Sequence, residues 1–216
     1  MSRRCARPRR SKSSVRSLAL ALVTASLSLA ALTGCQTAPP DRIAPSGPAG
    51  SALPTNCEQT PQSPHDPVRL YFPTQNVRVD VTRIGLTPQQ DFNIVPLDRQ
   101  PLLAGWYCYS PQPGDMGPSV MVGHVDWGGS KASFGRLAQL SKGAGIEVTN
   151  RAGAVHRYVV TSKQRVAKAA FPFDRVFADS PVSRLTLITC GGPFNHQAHS
   201  YTDSDIIYAG PDPRTE

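Results

Sequence analysis

Two residues in this chain pair a reactive side chain with a position that exposes it, and they are Cys190 and His124. Cys190 follows the β-like run Leu185-Thr186-Leu187-Ile188-Thr189 and precedes Gly191-Gly192, so the sequence predicts a strand end with a sharp turn just after the thiol. Flanking glycines let a substrate backbone come close to a thiol held there. A thiol becomes a nucleophile when its proton is removed from an ordinary pKa of about 8.5, and a nearby histidine is the usual device. His124 closes a second β-like run, Ser119 to His124, and is followed by Val125-Asp126. Two strand-end residues can meet at one rim of a barrel. Asp126 either orients His124 or caps the next turn. The competing structural readings are a small buried apolar cysteine and a satisfied rim histidine.

The elements that must position this pair are short. Runs rich in Val, Ile, Leu and Tyr cover Val68 to Phe72, Val77 to Ile84, Ser119 to His124, Ile146 to Thr149, Val155 to Val166, Arg184 to Cys190 and Asp205 to Ala209. Gly, Pro, Asn and Asp punctuate them, and Asn150 to Gly153 fits a hairpin turn. Strands of this length, with no long helical period between them, predict a mainly β barrel or sandwich. Helix is confined to short pieces, with Phe134 to Leu140 and Phe173 to Ala178 as candidates.

The sequence carries 23 Lys and Arg against 15 Asp and Glu. Seven of the basic residues lie in 1–34, where there is no acid; 23 less 7 leaves 16, so the remainder is close to neutral and offers no footprint for nucleic acid. The basic stretch precedes the uncharged, Leu- and Ala-rich run Leu18 to Thr33, the layout of a secretory signal. Leu32-Thr33-Gly34-Cys35 resembles the bacterial lipobox, which makes Cys35 the candidate lipidation site; an uncleaved membrane anchor is the other reading. Gln36 to Pro67, crowded with Pro, Ser, Ala and Gly, reads as a disordered tether. The expected organisation is therefore a signal over 1–34, a lipidation site and tether over 35–67, a catalytic domain over 68–210 and a tail over 211–216.

Histidine precedes cysteine here, the reverse of the order in papain-like and NlpC-type hydrolases. Thr186-Leu187-Ile188-Thr189-Cys190 resembles the TLxTC signature of sortases, and Gly123-His124-Val125-Asp126 is similar to the histidine motif of the class F group. Leu103 to Tyr107, Pro113 to Pro118 and Gly191-Gly192-Pro193-Phe194 also resemble class F members, in the correct order from about Val68 to Ala209. The resemblance implies a closed sortase-type β-barrel and a thiol that attacks the threonine carbonyl of an LPxTG-like sorting signal. The acyl group would pass to an amine acceptor from the cell wall. His124 would protonate the leaving amine and deprotonate the incoming one. Its implied partners are the sorting-signal peptide, the amine acceptor and, through the lipid anchor, the membrane; no cofactor and no metal is implied.

One family feature is missing. Sortases supply an arginine from the last strand or the loop before it, and none occurs between Cys190 and Ala209. Ser204 and His199 fall at the two places where it would align, Thr189 could support the oxyanion, and Arg184 or Arg136 could reach in from elsewhere. Two other readings stay open: a non-catalytic sortase-like lipoprotein that binds sorting peptides or wall material, and a zinc-binding exported protein using His124, Asp126, Cys190, His196 and His199. The histidine-glycine-cysteine signature of an L,D-transpeptidase is absent. If Cys190 stays reduced, Cys35 is lipidated and Cys5 leaves with the signal, then Cys57 and Cys108 remain to pair as a disulfide. The alternative buries Cys108 beside Trp106 and Tyr109 and leaves Cys57 free.

Overall fold

The computed structural model describes Cys57, residues 60–87 and residues 91–215. The expected signal, Cys35 and most of the expected tether lie outside the described residues. The strands are β1 (Pro67–Phe72), β2 (Val77–Ile84), β3 (Ala104–Tyr107), β4 (Gly117–Gly123), β5 (Asp126–Trp127), β6 (Ser130–Lys131), β7 (Gly145–Asn150), β8 (Val155–Ala167), β9 (Ser183–Asn195) and β10 (Ser200–Pro211). Two short α-helices, α1 (Val95–Arg99) and α2 (Phe173–Phe177), join them, with 3-10 turns that include Leu137–Gln139. Eight strands close into a barrel in the order β1-β2-β3-β4-β9-β10-β8-β7, and β5 pairs with β6 as a small separate ribbon. The fold is thus the mainly β closed barrel with short helices that the sequence predicts.

Side-chain alternation explains which face of each strand turns inward. In β1, Leu70 and Phe72 are buried while Arg69 and Tyr71 are not; in β7, Ile146 and Val148 are buried between Glu147 and Thr149. All eight barrel strands contribute to one interior cluster, among them Leu70, Val79, Trp106, Met121, Val148, Tyr158, Leu187 and Ile207. β4 is buried at every position up to Val122, and β9 from Leu185 to Thr189. The reason is a second apolar layer on the outside of the barrel. There Val120, Val122, Ile188, Ile206 and Tyr208 pack with Leu97 of α1 and Val176 of α2. Burial on both faces accounts for the continuous burial of Leu185 to Ile188, which alternation alone would not produce.

Two differences from the sequence expectation bear on the site. The chain does not turn after Cys190: β9 continues through Gly191 and Gly192 to Asn195, and β10 begins at Ser200 rather than Asp205. The two glycines make room for carboxylates instead. A Cβ at Gly191 would collide with the side chain of Asp205, and one at Gly192, whose φ is +74°, with that of Asp203. The register of β9 against β10 also slips between Tyr201 and Asp203, the mark of a bulge. The second difference is at the start of the domain, where residues 60–66 are packed on the barrel although they fall in the expected tether. Asp66, 1 % exposed, accepts hydrogen bonds from Gln112 Nε2 (2.9 Å) and the Ser63 N–H (3.1 Å) and lies 3.7 Å from Arg83 Nε. A buried carboxylate needs such partners, and gathering them fixes the chain that carries it. Cys57 is joined to Cys108 by a disulfide with Cα atoms 5.9 Å apart. At the other terminus, β10 runs to Pro211, and the Asp212 N–H donates to the Arg157 carbonyl.

Candidate active site

The parallel pairing of β4 with β9 sets the geometry. Val120 faces Thr186, Met121 faces Leu187 and Val122 faces Ile188, after which β4 ends at Gly123. The Thr189 hydroxyl continues the contact by donating to the Gly123 carbonyl at 2.8 Å. The next residue on each chain is His124 on one side and Cys190 on the other, so both occupy the same level at one end of the barrel. Because β4 has ended, Cys190 lacks a strand neighbour on that side and is half-buried rather than sealed. It is the free cysteine among the described residues. Side-chain alternation places Cys190 on the face of β9 that carries Ile188, outside the barrel and toward the layer that contains α1.

The His124 ring is held from two sides. Its Nε2 lies 3.0 Å from Asp98 Oδ1, and its face meets the Trp127 ring at 4.9 Å between centroids. The histidine side chain is 14 % exposed and the aspartate 40 %. Behind it, the Phe134 N–H donates to the His124 carbonyl at 2.9 Å. Gly123 permits this packing, since a Cβ there would lie 2.6 Å from Ser133 Oγ and 2.8 Å from the Phe134 ring.

The remaining expected residues separate into those the fold brings to the pair and those it does not. Ser204 stands directly opposite Cys190 in the β9–β10 register and is buried. Asp126 does not orient His124; the carboxylate in contact with that ring is Asp98, and Asp126 lies near the Tyr201 hydroxyl instead. Burial raises the Tyr201 phenol above its ordinary value, the Asp126 carboxylate adds to the shift, and Cys190 is near enough to contribute. Thr189 has its hydroxyl committed to the Gly123 carbonyl, so its side chain links the two strands that carry the pair. His199 lies apart. It is exposed, with a φ of +46°, in the loop between β9 and β10. That loop begins after Asn195, five residues and roughly 16 Å of extended chain beyond Cys190.

Of the two arginines expected to reach in, Arg184 is occupied, and so is the neighbouring-strand Arg165. Arg184 donates to the carbonyls of Arg175, Val176 and Ala178 at the end of α2, and it lies at the opposite end of β9. Arg165 on β8 makes a bidentate pair with Asp205, both contacts at 2.8 Å, on the other face of the ladder from Cys190. Arg136 is exposed at the end of the barrel that carries Cys190 and His124, where Gln75 donates to its carbonyl; its guanidinium has no partner among the described residues. No three His, Cys, Asp or Glu side chains among the described residues converge as a metal site.

Sequence reasoning missed Asp98. It lies in Val95-Pro96-Leu97-Asp98-Arg99, a five-residue helix with no motif, and only the packing of α1 brings it to a histidine 26 positions away.

A family profile described as a sortase domain matches residues 73–212, most of the chain. The protein belongs to the sortase family, whose members are cysteine transpeptidases of the cell envelope. Solved structures similar to it include the lid mutant of sortase A from Corynebacterium diphtheriae, with 20 % identity over 74 % of this chain and 77 % of that one and a TM-score of 0.52. Sortase C from Clostridium perfringens SM101 is 16 % identical over 68 % of this chain and 70 % of that one, with a TM-score of 0.50. Sortase C1 from Streptococcus agalactiae is 18 % identical over 67 % and 66 %, with a TM-score of 0.51. At these identities the likeness is one of fold. No curated protein sequence matches the chain.

Proposed function

We propose that this chain is a class F-like sortase that cleaves an LPxTG-like sorting signal and transfers its acyl group to an amine of the cell wall. The observation that carries the reading is the β4–β9 register, which brings His124 and Cys190 to one level at the open end of the barrel. The Cys190 thiolate attacks the threonine carbonyl and the bond to the following residue breaks. His124 gives a proton to the departing amine, which leaves with the C-terminal fragment. A thioester to Cys190 remains. The acceptor amine attacks that carbonyl, loses a proton to His124 and expels the thiolate, so the enzyme returns to its starting state with no net redox change.

Ser204, opposite Cys190, is an uncharged donor available to the carbonyl oxygen in this scheme, and Arg136 is exposed at the same end with no guanidinium partner among the described residues. A neutral hydroxyl stabilises a developing oxyanion less than a guanidinium does. That difference supports a second reading, in which the groove binds sorting peptides without turning them over. We propose further that Cys35 is lipidated after export and tethers the domain outside the membrane; retention of residues 1–34 with no lipid on the mature chain would overturn this.

Intact-mass spectrometry of the protein incubated with LPxTG-type peptides tests the main reading. The expected result is an adduct on Cys190 equal to the peptide through threonine, with release of the C-terminal fragment, and its discharge by an added amine. Saturable peptide binding with no adduct would favour the binding reading. An adduct on another residue would overturn the assignment of Cys190.

A further inference from the structure

We infer that Asp98 is a positioning residue for His124: it holds the imidazole in the tautomer with the proton on Nε2 and leaves Nδ1 as the nitrogen that exchanges protons at Cys190. The inference rests on the reading of His124 as the acid/base partner and adds to it the atom that does the work and the group that selects it.

The argument begins with α1. Its backbone is closed by the Leu97 and Asp98 N–H groups, which both donate to the Ile94 carbonyl, at 2.8 and 3.1 Å. Leu97, 1 % exposed, pins the helix in the outer apolar layer that also contains Val122 and Ile188. The next side chain, Asp98, is therefore delivered to the end of β4. There its Oδ1 reaches His124 Nε2 at 3.0 Å. An ionised carboxylate can only accept a hydrogen bond, so the nitrogen facing it must carry the proton. In the neutral ring the lone pair is then on Nδ1.

The ring cannot readily turn to exchange its nitrogens. Trp127 lies against its face with a 42° interplanar angle. Asp98, not the sequence-adjacent Asp126, is the carboxylate within hydrogen-bond distance of the ring.

The test is nitrogen-15 NMR of histidine-labelled full-length protein in the Cys190→Ala background, where no thiolate can pair with the ring. The His124 resonances are assigned by their disappearance in His124→Gln. At the alkaline plateau of the titration, the expected spectrum has a pyrrole-type Nε2 and a pyridine-type Nδ1, and Asp98→Ala moves it toward a mixture of tautomers. In the enzyme with Cys190 intact, Asp98→Ala should lower kcat for transfer roughly tenfold and leave KM within about twofold, since the lost contact helps the reacting state more than peptide binding. A proton on Nδ1 in the wild-type ring, or a tautomer unchanged by Asp98→Ala, would overturn the inference even if kcat fell. The wild-type spectrum decides the point should Asp98→Ala fold poorly. Absence of an acyl adduct would fail the transpeptidase reading separately, because the tautomer is measured without substrate.

Discussion

The two ends of the β4–β9 ladder solve opposite problems. At the end where β4 starts, polar groups are gathered and paired. The Tyr158 hydroxyl sits 2.8 Å from Ser183 Oγ and accepts the Gly114 N–H at 2.9 Å, Arg184 holds three carbonyls of α2, and the Cys57–Cys108 disulfide and the Asp66 contacts tie the incoming chain to the barrel. At the other end β4 stops one residue short of His124, and Cys190 and His124 are left beyond the last ladder pair. The contacts there orient reactive groups. Rigidity at one end lets the other keep groups half-exposed without loosening the barrel, as expected when stability and reactivity are drawn from separate regions.

The largest expected break in this contrast is chemical. Cys190→Ala and His124→Ala should each lower transpeptidation by at least about a thousandfold, because in the proposed mechanism they remove the nucleophile or its proton partner. Circular dichroism and the melting temperature should stay close to wild type; a large loss of stability in either variant would show that the catalytic end also holds the fold together. The converse substitution is Cys57→Ser with Cys108→Ser. Opening a 51-residue separation should cost about 2–4 kcal/mol in denaturant unfolding, with turnover preserved well below the melting point. A collapse of kcat at low temperature would break the separation of roles.

Smaller effects sharpen the comparison. Tyr158→Phe removes the hydroxyl that bridges Ser183 and Gly114 in a part-buried network, and about 1 kcal/mol of stability should go with it while KM and kcat hold. The smallest effect is a pH dependence confined to the structural end. Burial lowers the His156 pKa below its ordinary 6.5, with Asp115 opposing and His65 adding to the shift, and its Nε2 is buried without a partner among the described residues. The unfolded chain then takes up the proton more readily than the fold. Stability is full above about pH 6.5, falls as pH drops through that value and levels off below the folded pKa. His156→Gln should flatten the melting-temperature difference between pH 7.5 and pH 5.5.

The sequence made the barrel and the proposed Cys190–His124 pair legible for related reasons. Alternation in β1 and β7 and the doubly buried runs of β4 and β9 mark strands directly, and a cysteine and a histidine at the ends of such runs are visible without a structure. What could not be read depended on contacts between distant segments. Gly191-Gly192 read as a turn because glycine permits one; in the fold the absent Cβ atoms make space for Asp205 and Asp203, and the strand runs on. β3 is four residues long and contains Gly105, so it carries too little pattern to be found. Asp98 is in a helix too short to show a period, whereas Asp126, two residues from His124, drew attention by its proximity and turned out to face Tyr201. The buried hub at Asp66 was hidden within a stretch whose composition reads as linker.

The covalent link from Cys57 to Cys108 also decides where a mechanical load would travel. Tension applied to the chain ahead of Cys57 passes through the sulfur bridge to the residue that follows β3, whose N–H is bonded to the Ile84 carbonyl in the barrel wall. The intervening segment, with β1, β2, α1 and β3, lies inside a closed covalent loop and is shielded from the pull. Such a domain resists being peeled strand by strand from its amino-terminal side; the force meets the barrel just after β3, and the pairing of β1 with β7 is spared.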